Sequence, residues 1–322
     1  MKNNNKEKNE KIGLSLCLVF SLGFLKAHEV SAEEIADIFY KLNAKEPKMK
    51  INHTKGFCAK GVFLPNLQAK KDLDVPLLNE KEIPASVRYS LGGVAMDDKS
   101  KVRGMALKLE SQNASWTMVM LNTEINFAKN PNEFAQFFEM RIPKNGKVDE
   151  ARIKKLYEEV PSYRNFAAYT KTIGISSSVA NTPYYSVHAF RFKDKKEKLL
   201  HARWKFVPKE GIKYLNPQEL KQKDSNYLLS SFQQHLKNKP IEYQMYLVFA
   251  NQNDATNDTT ALWKGKHKEL LIGTLKVEKY EGMGCNKDVY LPADLPKGVE
   301  APTDPLFQIR NEVYGITFSR RQ

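Results

Sequence analysis

The strongest constraint on the fold is a series of short strand-like segments that recurs from Lys50 to Tyr280. Met105, Leu107 and Leu109 alternate with Ala106 and Lys108, and Trp116-Thr117-Met118-Val119-Met120 is rich in β-favouring residues. Ser186 to Phe192, Ala202 to Val207, Gln244 to Phe249 and Leu270 to Tyr280 continue the series. Alternation with a period of two predicts strands with one face buried. Helices are interposed. Glu33 to Leu42 places Ile35, Ile38, Phe39 and Leu42 on one face, and Asn130-Pro131 opens a helix through Met140 with Phe134, Phe137 and Phe138 together. Val148 to Val160 and Gln218 to Leu236 are the next two, the latter stopped by Asn238-Lys239-Pro240. Asn251 to Thr260 reads as a loop, and Tyr290 to Pro305, with its four prolines, as an extended arm. A last helix starts at Asp304-Pro305, with Asp as N-cap and Pro in the first turn. No repeat or linker divides the chain. The expected fold is a single α+β domain: an antiparallel β-barrel with inserted and C-terminal helices.

The N-terminus precedes this pattern. Lys2, Lys6, Lys8 and Lys11 lead into an apolar run from Ile12 to Leu25, too short for a comfortable membrane span, and small residues follow. This is the layout of a secretory signal peptide, residues 1–32, with cleavage expected near Ala27 or Ala32 and the domain occupying 33–322. A bulky Leu16 before Cys17 argues against a lipoprotein site. The expected location is therefore the periplasm or the exterior, with no stable membrane insertion after cleavage.

Export leaves Cys58 and Cys285, which either pair in an oxidising compartment or stay as two buried thiols. No CxxC, HExxH or HxxxH spacing supports a zinc site, and no GxGxxG or P-loop supports a nucleotide cradle. The net charge of +14 keeps nucleic acid, anionic surfaces and anionic small molecules open as partners. Its lysines are dispersed, however, and the densest run, Lys193 to Lys198, reads as a solvated turn between two strands. Nucleic acid is not expected as a partner.

Individually, His53 in a strand, Asn122 after an apolar run, and Arg310 and Tyr314 four apart on the last helix are ordinary features. Their order and neighbours are not. His53-Thr54-Lys55-Gly56 continues to Gly61-Val62-Phe63, and Val87-Arg88-Tyr89-Ser90 is followed by Arg103-Gly104-Met105-Ala106-Leu107-Lys108. Trp116, Asn122-Thr123, Phe127 and Phe134 come next, then Ser186-Val187-His188-Ala189-Phe190. Gly298-Val299-Glu300, Asp304 and Arg310-Asn311-Glu312-Val313-Tyr314 close the series. In this order the segments resemble the haem catalase superfamily, over about four-fifths of the chain.

The resemblance implies haem b bound through the Tyr314 phenolate. Arg310, one turn away, would favour the ionised phenol, with His188 and Asp304 holding Arg310 in turn. Arg88, Lys50 and the terminal Arg320-Arg321, chiefly Arg321, are implied as partners of the haem propionates; Lys50 stands where the family usually has Arg. His53 is implied as the acid–base group that moves a proton between the peroxide oxygens, Asn122 as the group that positions peroxide, and Ser90 as the hydroxyl that orients His53. Phe127 and Phe134 are implied as pocket walls.

Departures from the pattern bear on activity. Asn52 and Gly92 replace channel valines and Lys101 replaces a channel acid, which predicts a wetter, wider entrance. The added helical domain and wrapping arm of long catalases are not expected here. The expectation is an exported haem peroxidase of the small catalase-related type. It would reduce hydrogen peroxide or organic hydroperoxides with a small organic electron donor, with or without weak catalase activity, as a monomer or small homo-oligomer. Two alternatives stand beside it. One is an enzyme that rearranges fatty-acid hydroperoxides. The other is a barrel that carries haem or an anionic lipid without redox work, for which the set His53, Asn122 and Ser90 would be superfluous.

Overall fold

The structure, a computed structural model, describes Met1 and residues 29–43, 48–93 and 95–322; the leader expected over residues 1–32 thus lies mostly outside the described residues. Its strands are β1 (Gly56–Pro65), β2 (Ile83–Leu91), β3 (Arg103–Glu110), β4 (Ser115–Leu121), β5 (Tyr184–Tyr185), β6 (Phe190–Lys193), β7 (Leu199–Pro208), β8 (Ile241–Phe249), β9 (Glu269–Tyr280) and β10 (Val299–Glu300). The helices are α1 (Ala32–Asn43), α2 (Leu67–Asp72), α3 (Pro131–Glu139), α4 (Glu150–Glu159), α5 (Pro161–Thr172), α6 (Pro217–Lys221), α7 (Tyr227–Leu236) and α8 (Pro305–Ser319). All pairings between the strands are antiparallel. The order β7-β5-β4-β3-β2-β1-β9-β8 closes on itself through β7–β8, while β6 and β10 extend from β7 outside the ring. Closure removes the exposed edges that an open sheet of this size would present.

Strand alternation decides which residues serve the core and which serve a site. In β2, Val87, Tyr89 and Leu91 point into the barrel; in β3, Met105, Leu107 and Leu109 do so; all six are at most 4% exposed. Trp116, Met118, Trp204, Phe206, Tyr243, Met245, Leu275 and Val277 fill the same core. Arg88, Ser90, Gly104 and Ala106 therefore lie on the outer face of the same strands. A second, smaller cluster sits outside the barrel. Ile35 and Phe39 of α1, Ala135 of α3, Val313 of α8 and Ile51 pack together, so α8 is held by α1 and α3 rather than by the barrel alone.

Three segments differ from the sequence expectation. Ser186 to Ala189 is not strand: the Ser186 hydroxyl donates to the His188 carbonyl (3.0 Å) and accepts from the Trp204 amide (3.0 Å), a side chain taking the place of a ladder bond. The helix expected from Gln218 to Leu236 is two helices, because Asp224 accepts from the Asn226 amide and forms a turn. Pro161, after the expected helix to Val160, begins α5 instead of ending helical structure. His53 also lies outside any strand, in a bend three residues before β1.

Cys58 on β1 and Cys285 in a short 3-10 turn (Gly284–Asn286) form a disulfide across 227 residues. The arm after it crosses β6 through β10; Gly298 is required there, with φ +88° and a would-be Cβ only 1.9 Å from the Asp74 carbonyl oxygen. The bond joins chain segments far apart in sequence, so its loss is felt by the unfolded ensemble. The expected result for Cys285→Ser is a loss of about 2–4 kcal/mol in denaturant unfolding, with the same loss for Cys58→Ser. Equal stability of both variants and the parent would contradict the pairing.

Candidate active site

His53 is held from three directions. Its amide donates to the Asn52 side-chain oxygen (2.9 Å), its carbonyl accepts from Arg88 Nη2 (2.8 Å), and its Nδ1 lies 3.2 Å from Ser90 Oγ. The residue has φ +50°, uncommon for a side chain with a Cβ, and these bonds fix it there. The ring lies over glycine: a Cβ at Gly104 would come within 2.6 Å of Ser90 Oγ and 3.1 Å of His53 Nδ1. With Nδ1 on Ser90, Nε2 is the nitrogen left to meet a substrate. Burial, followed by the charges of Arg88, Arg310 and Lys50, lowers the His53 pKa to about 4. The imidazole is therefore neutral, and able to accept a proton, at any pH well above 4.

Three cations gather beside it, with the Asp288 carboxylate acting on Lys50 and Arg321 from beyond ion-pair distance. Arg88, buried on the outer face of β2, donates Nε to Asn286 Oδ1 (2.7 Å), and Asn286 in turn donates to the Gly56 carbonyl (3.2 Å). Lys50 Nζ (2.5 Å) and Arg321 Nη2 (2.8 Å) both donate to the Asp288 carbonyl. Among the described residues none of the three makes an ion pair, and the buried Arg321 Nε has no partner. The cluster feels its own repulsion. Burial, then Arg321 and Arg88, lowers Lys50 to about 7, and burial lowers Arg88 to about 10. Asn286 and Asp288, which organise the cations through the turn tied down by Cys285, carried no sequence signal beyond the cysteine itself.

The C-terminal helix supplies the third part. Asp304 caps α8 by accepting from the Leu306 amide (3.1 Å) and also accepts from His188 Nδ1 (2.7 Å). His188 Nε2 meets Arg310 Nη1, one helical turn before Tyr314. Burial would raise the Asp304 pKa, but the His188 and Leu306 hydrogen bonds outweigh it and leave it below the ordinary value. For His188 burial prevails over the Asp304 interaction, and the pKa is lowered. The neutral Nδ1–H tautomer follows: Nδ1 donates to the carboxylate and Nε2 accepts from the guanidinium. Arg310 acts electrostatically on His53, and Tyr314 on Arg88, so α8 faces the same site.

Asn122, 2% exposed, accepts at Oδ1 from the Arg103 amide (2.8 Å) and donates Nδ2 to the Lys101 carbonyl (2.9 Å), leaving one amide hydrogen for a ligand. Phe127 stacks on Phe137 at 3.9 Å and on Phe134 at 5.3 Å, and Phe134 meets Phe39 of α1 at 6.1 Å. Both expected wall residues belong to an aromatic block between α3 and α1. Arg320 is separate from the cluster, exposed and paired with Asp37 (2.6 Å). The widening expected at Gly92 is not there: Val102 Cγ1 would lie 2.8 Å from a Cβ at that position and takes up the space. Asn52 folds back onto the His53 amide, and the Lys101 ammonium turns to the Thr170 carbonyl (3.2 Å).

These residues fit haem. Three clustered cations, Arg88 and Arg321 buried and Lys50 half-buried, with no ion pair among the described residues and one unpartnered N–H, suit an anionic ligand, and haem carries two propionates. Tyr314 offers a phenol oxygen near positive charge, whereas among the described residues no cluster of His, Cys, Asp or Glu is placed to hold a metal ion.

Comparison with known proteins agrees with this geometry. A family model described as Catalase matches residues 34–322. A catalase-related peroxidase of Synechococcus elongatus is 30% identical over 279 residues, spanning 84% of this chain and 82% of its own. A catalase-related peroxidase of Mycolicibacterium paratuberculosis is 23% identical over 300 residues, spanning 91% and 95%. The solved structure of catalase A from Saccharomyces cerevisiae matches with a TM-score of 0.76 at 16% identity, covering 86% of this chain and 62% of that one, a likeness of fold. With the family model covering residues 34–322, and a relative 30% identical over 84% of the chain, the chain belongs to the catalase family.

Proposed function

We propose that the chain is an exported haem peroxidase that reduces hydrogen peroxide or organic hydroperoxides with a small organic electron donor. Catalase-family membership makes it a peroxide-acting oxidoreductase and implies haem iron; haem b, the donor and export are the finer parts of the proposal. The observation that carries it is the convergence of a neutral His53 and three clustered cations, none in an ion pair among the described residues, with the helix that bears Tyr314.

Bound haem would supply the redox chemistry that cleaves the O–O bond. Tyr314 would ligate the iron, and Lys50, Arg88 and Arg321 would take the propionates. The relay Asp304–His188–Arg310 holds a guanidinium one turn from Tyr314, where positive charge favours the phenolate. His53 Nε2 accepts the proton of the nearer peroxide oxygen and returns it to the farther one, so that water rather than hydroxide leaves. Ser90 keeps the ring in the orientation this transfer needs, and the spare Asn122 N–H orients the peroxide.

One feature supports export, and another bears on where a leader would be cut. A disulfide between Cys58 and Cys285 belongs to an oxidising compartment. The start of α1 also bears on the cleavage site. Ser31 and Glu34 cap each other reciprocally (2.8 and 3.2 Å), and the Val30 amide donates to Asn132 (2.8 Å). Cleavage after Ala32 would remove both contacts, whereas cleavage after Ala27 keeps them.

Three outcomes are expected. Tyr314→Phe fails to retain haem, while His53→Ala retains it and loses at least about 100-fold in peroxide turnover, the scale of an acid–base group; full turnover in the His53 variant would refute the mechanism. Secondly, haem binding takes up a proton between about pH 7 and 10. In the free protein Lys50 is mostly deprotonated above about 7, and propionate raises its pKa again, so affinity falls as pH rises through this window. Calorimetry in buffers of different ionisation enthalpy reads the uptake, which Lys50→Met should abolish. Thirdly, intact-mass analysis of the exported protein should place its N-terminus at His28; a start at Glu33 would contradict the capping argument.

A further inference from the structure

The three cations beside His53 all lean on one short stretch of chain that has no apolar anchor of its own. From Glu281 to Val289 no side chain is buried, and burial resumes only at Tyr290. Arg88 Nε bonds Asn286 Oδ1 (2.7 Å), while Lys50 Nζ (2.5 Å) and Arg321 Nη2 (2.8 Å) bond the Asp288 carbonyl. Arg321 Nη2 also lies 3.4 Å from the Lys287 carbonyl. A segment with few buried contacts opens before the rest of a fold does, unless something else holds it.

Strand β1 holds it. The Cys58 amide donates to the Gly282 carbonyl (2.9 Å), and the Glu281 amide donates to the Cys58 carbonyl (2.9 Å). Beyond Gly282 the turn is linked to β1, among the described residues, by three contacts. These are the Cys58–Cys285 bond, the Cys285 amide on Cys58 Sγ (3.0 Å) and the Asn286 side-chain amide on the Gly56 carbonyl (3.2 Å). With the covalent bond open, hydrogen bonds alone would keep Asn286 and Asp288 against three like charges, whose repulsion favours a spread arrangement. Cys58 is buried, whereas Cys285 is half-buried beside the exposed Met283 and Gly284, so a reagent reaches the bond from the turn.

We infer, resting on the haem reading above, that the Cys58–Cys285 bond is a redox-sensitive tie that sets how firmly the chain holds haem, firmly when closed and weakly when a dithiol has opened it. A thiolate of the dithiol attacks the Cys285 sulfur, and Cys58 leaves as a thiolate. The second thiol of the reductant then displaces Cys285. Two electrons and two protons pass to the protein, which ends as two thiols while the reductant ends as a disulfide. The cysteines are positioning residues, acting through Asn286 and Asp288 on the cations. Haem is thereby retained in an oxidising compartment and given up on contact with a reduced dithiol.

Haem transfer to excess apomyoglobin tests the inference. The protein with its bond closed is compared with protein reduced by dithiothreitol, desalted without oxygen and then loaded with haem. The reduced protein should lose haem at least about tenfold faster, the scale on which removing support behind ligand-holding groups weakens binding. Reoxidation should restore the slow rate. The double variant Cys58→Ser, Cys285→Ser should lose haem at the fast rate whether or not it has met dithiothreitol. Asn286→Ala keeps the bond and should also speed the loss. Circular dichroism of the reduced protein should show the barrel intact, since only the turn is released. Equal rates in the two redox states, or an unchanged rate in Asn286→Ala, would overturn the inference. So would unfolding on reduction, which would make the bond a tie for the whole fold. No haem uptake in either state would overturn the haem reading itself, and this inference with it.

Discussion

The site depends on one carboxylate. Asp304 ends the proline-rich arm, caps α8 and accepts from His188. Cap and hydrogen bond together fix both where the helix begins and what faces its first turns. A helix held at its N-terminus presents residues at set rotations, so Arg310 meets His188 and Tyr314 follows one turn later. A buried His–Asp pair is expensive to desolvate unless every lone pair is used. Here the Leu306 amide, His188 and Arg310 use them, and the network becomes a rigid base for the phenol.

The barrel contributes by dividing one pair of strands between two environments. On β2 and β3, odd-numbered residues enclose the apolar core, while Arg88, Ser90 and Gly104 face outward to His53. Neither face can shift by a residue without exchanging core for site. The Cys58–Cys285 bond then ties the turn bearing Asn286 and Asp288 to β1, so the cations on the outer face are positioned by a covalent link as well as by hydrogen bonds. Arg103 is the exception to the apolar inner face, which is why the barrel interior holds a polar feature at one end.

Much of this was legible in the sequence. Alternation at Met105, Leu107 and Leu109, the helix start at Asn130-Pro131, the Asp304 cap and the Lys193–Lys198 turn are local signals, and each holds in the structure. The order of motifs likewise brought His53, Ser90, Arg88, Arg310, His188 and Asp304 into one proposed site; hydrogen bonds join His53 to Ser90 and Arg88, and separately join Arg310 to His188 and His188 to Asp304. What stayed hidden depends on contacts between distant segments. Asn286 and Asp288 act through an amide side chain and a backbone carbonyl, which no residue pattern announces. Val102 filling the space over Gly92 is a packing event, and the Ser186 side chain replacing a ladder bond is a competition that periodicity does not record. Pairing of Cys58 with Cys285 likewise needed the fold to bring their Cα atoms to 5.8 Å.

The central claim is that α8 presents Tyr314 as a phenolate to haem iron under the control of Arg310. The absorption spectrum of the purified, haem-loaded protein tests this most directly. The account predicts a Soret band with the pattern of tyrosinate-ligated ferric haem, lost in Tyr314→Phe. A colourless protein that cannot be reconstituted, or a haem spectrum unchanged by that substitution, would contradict it.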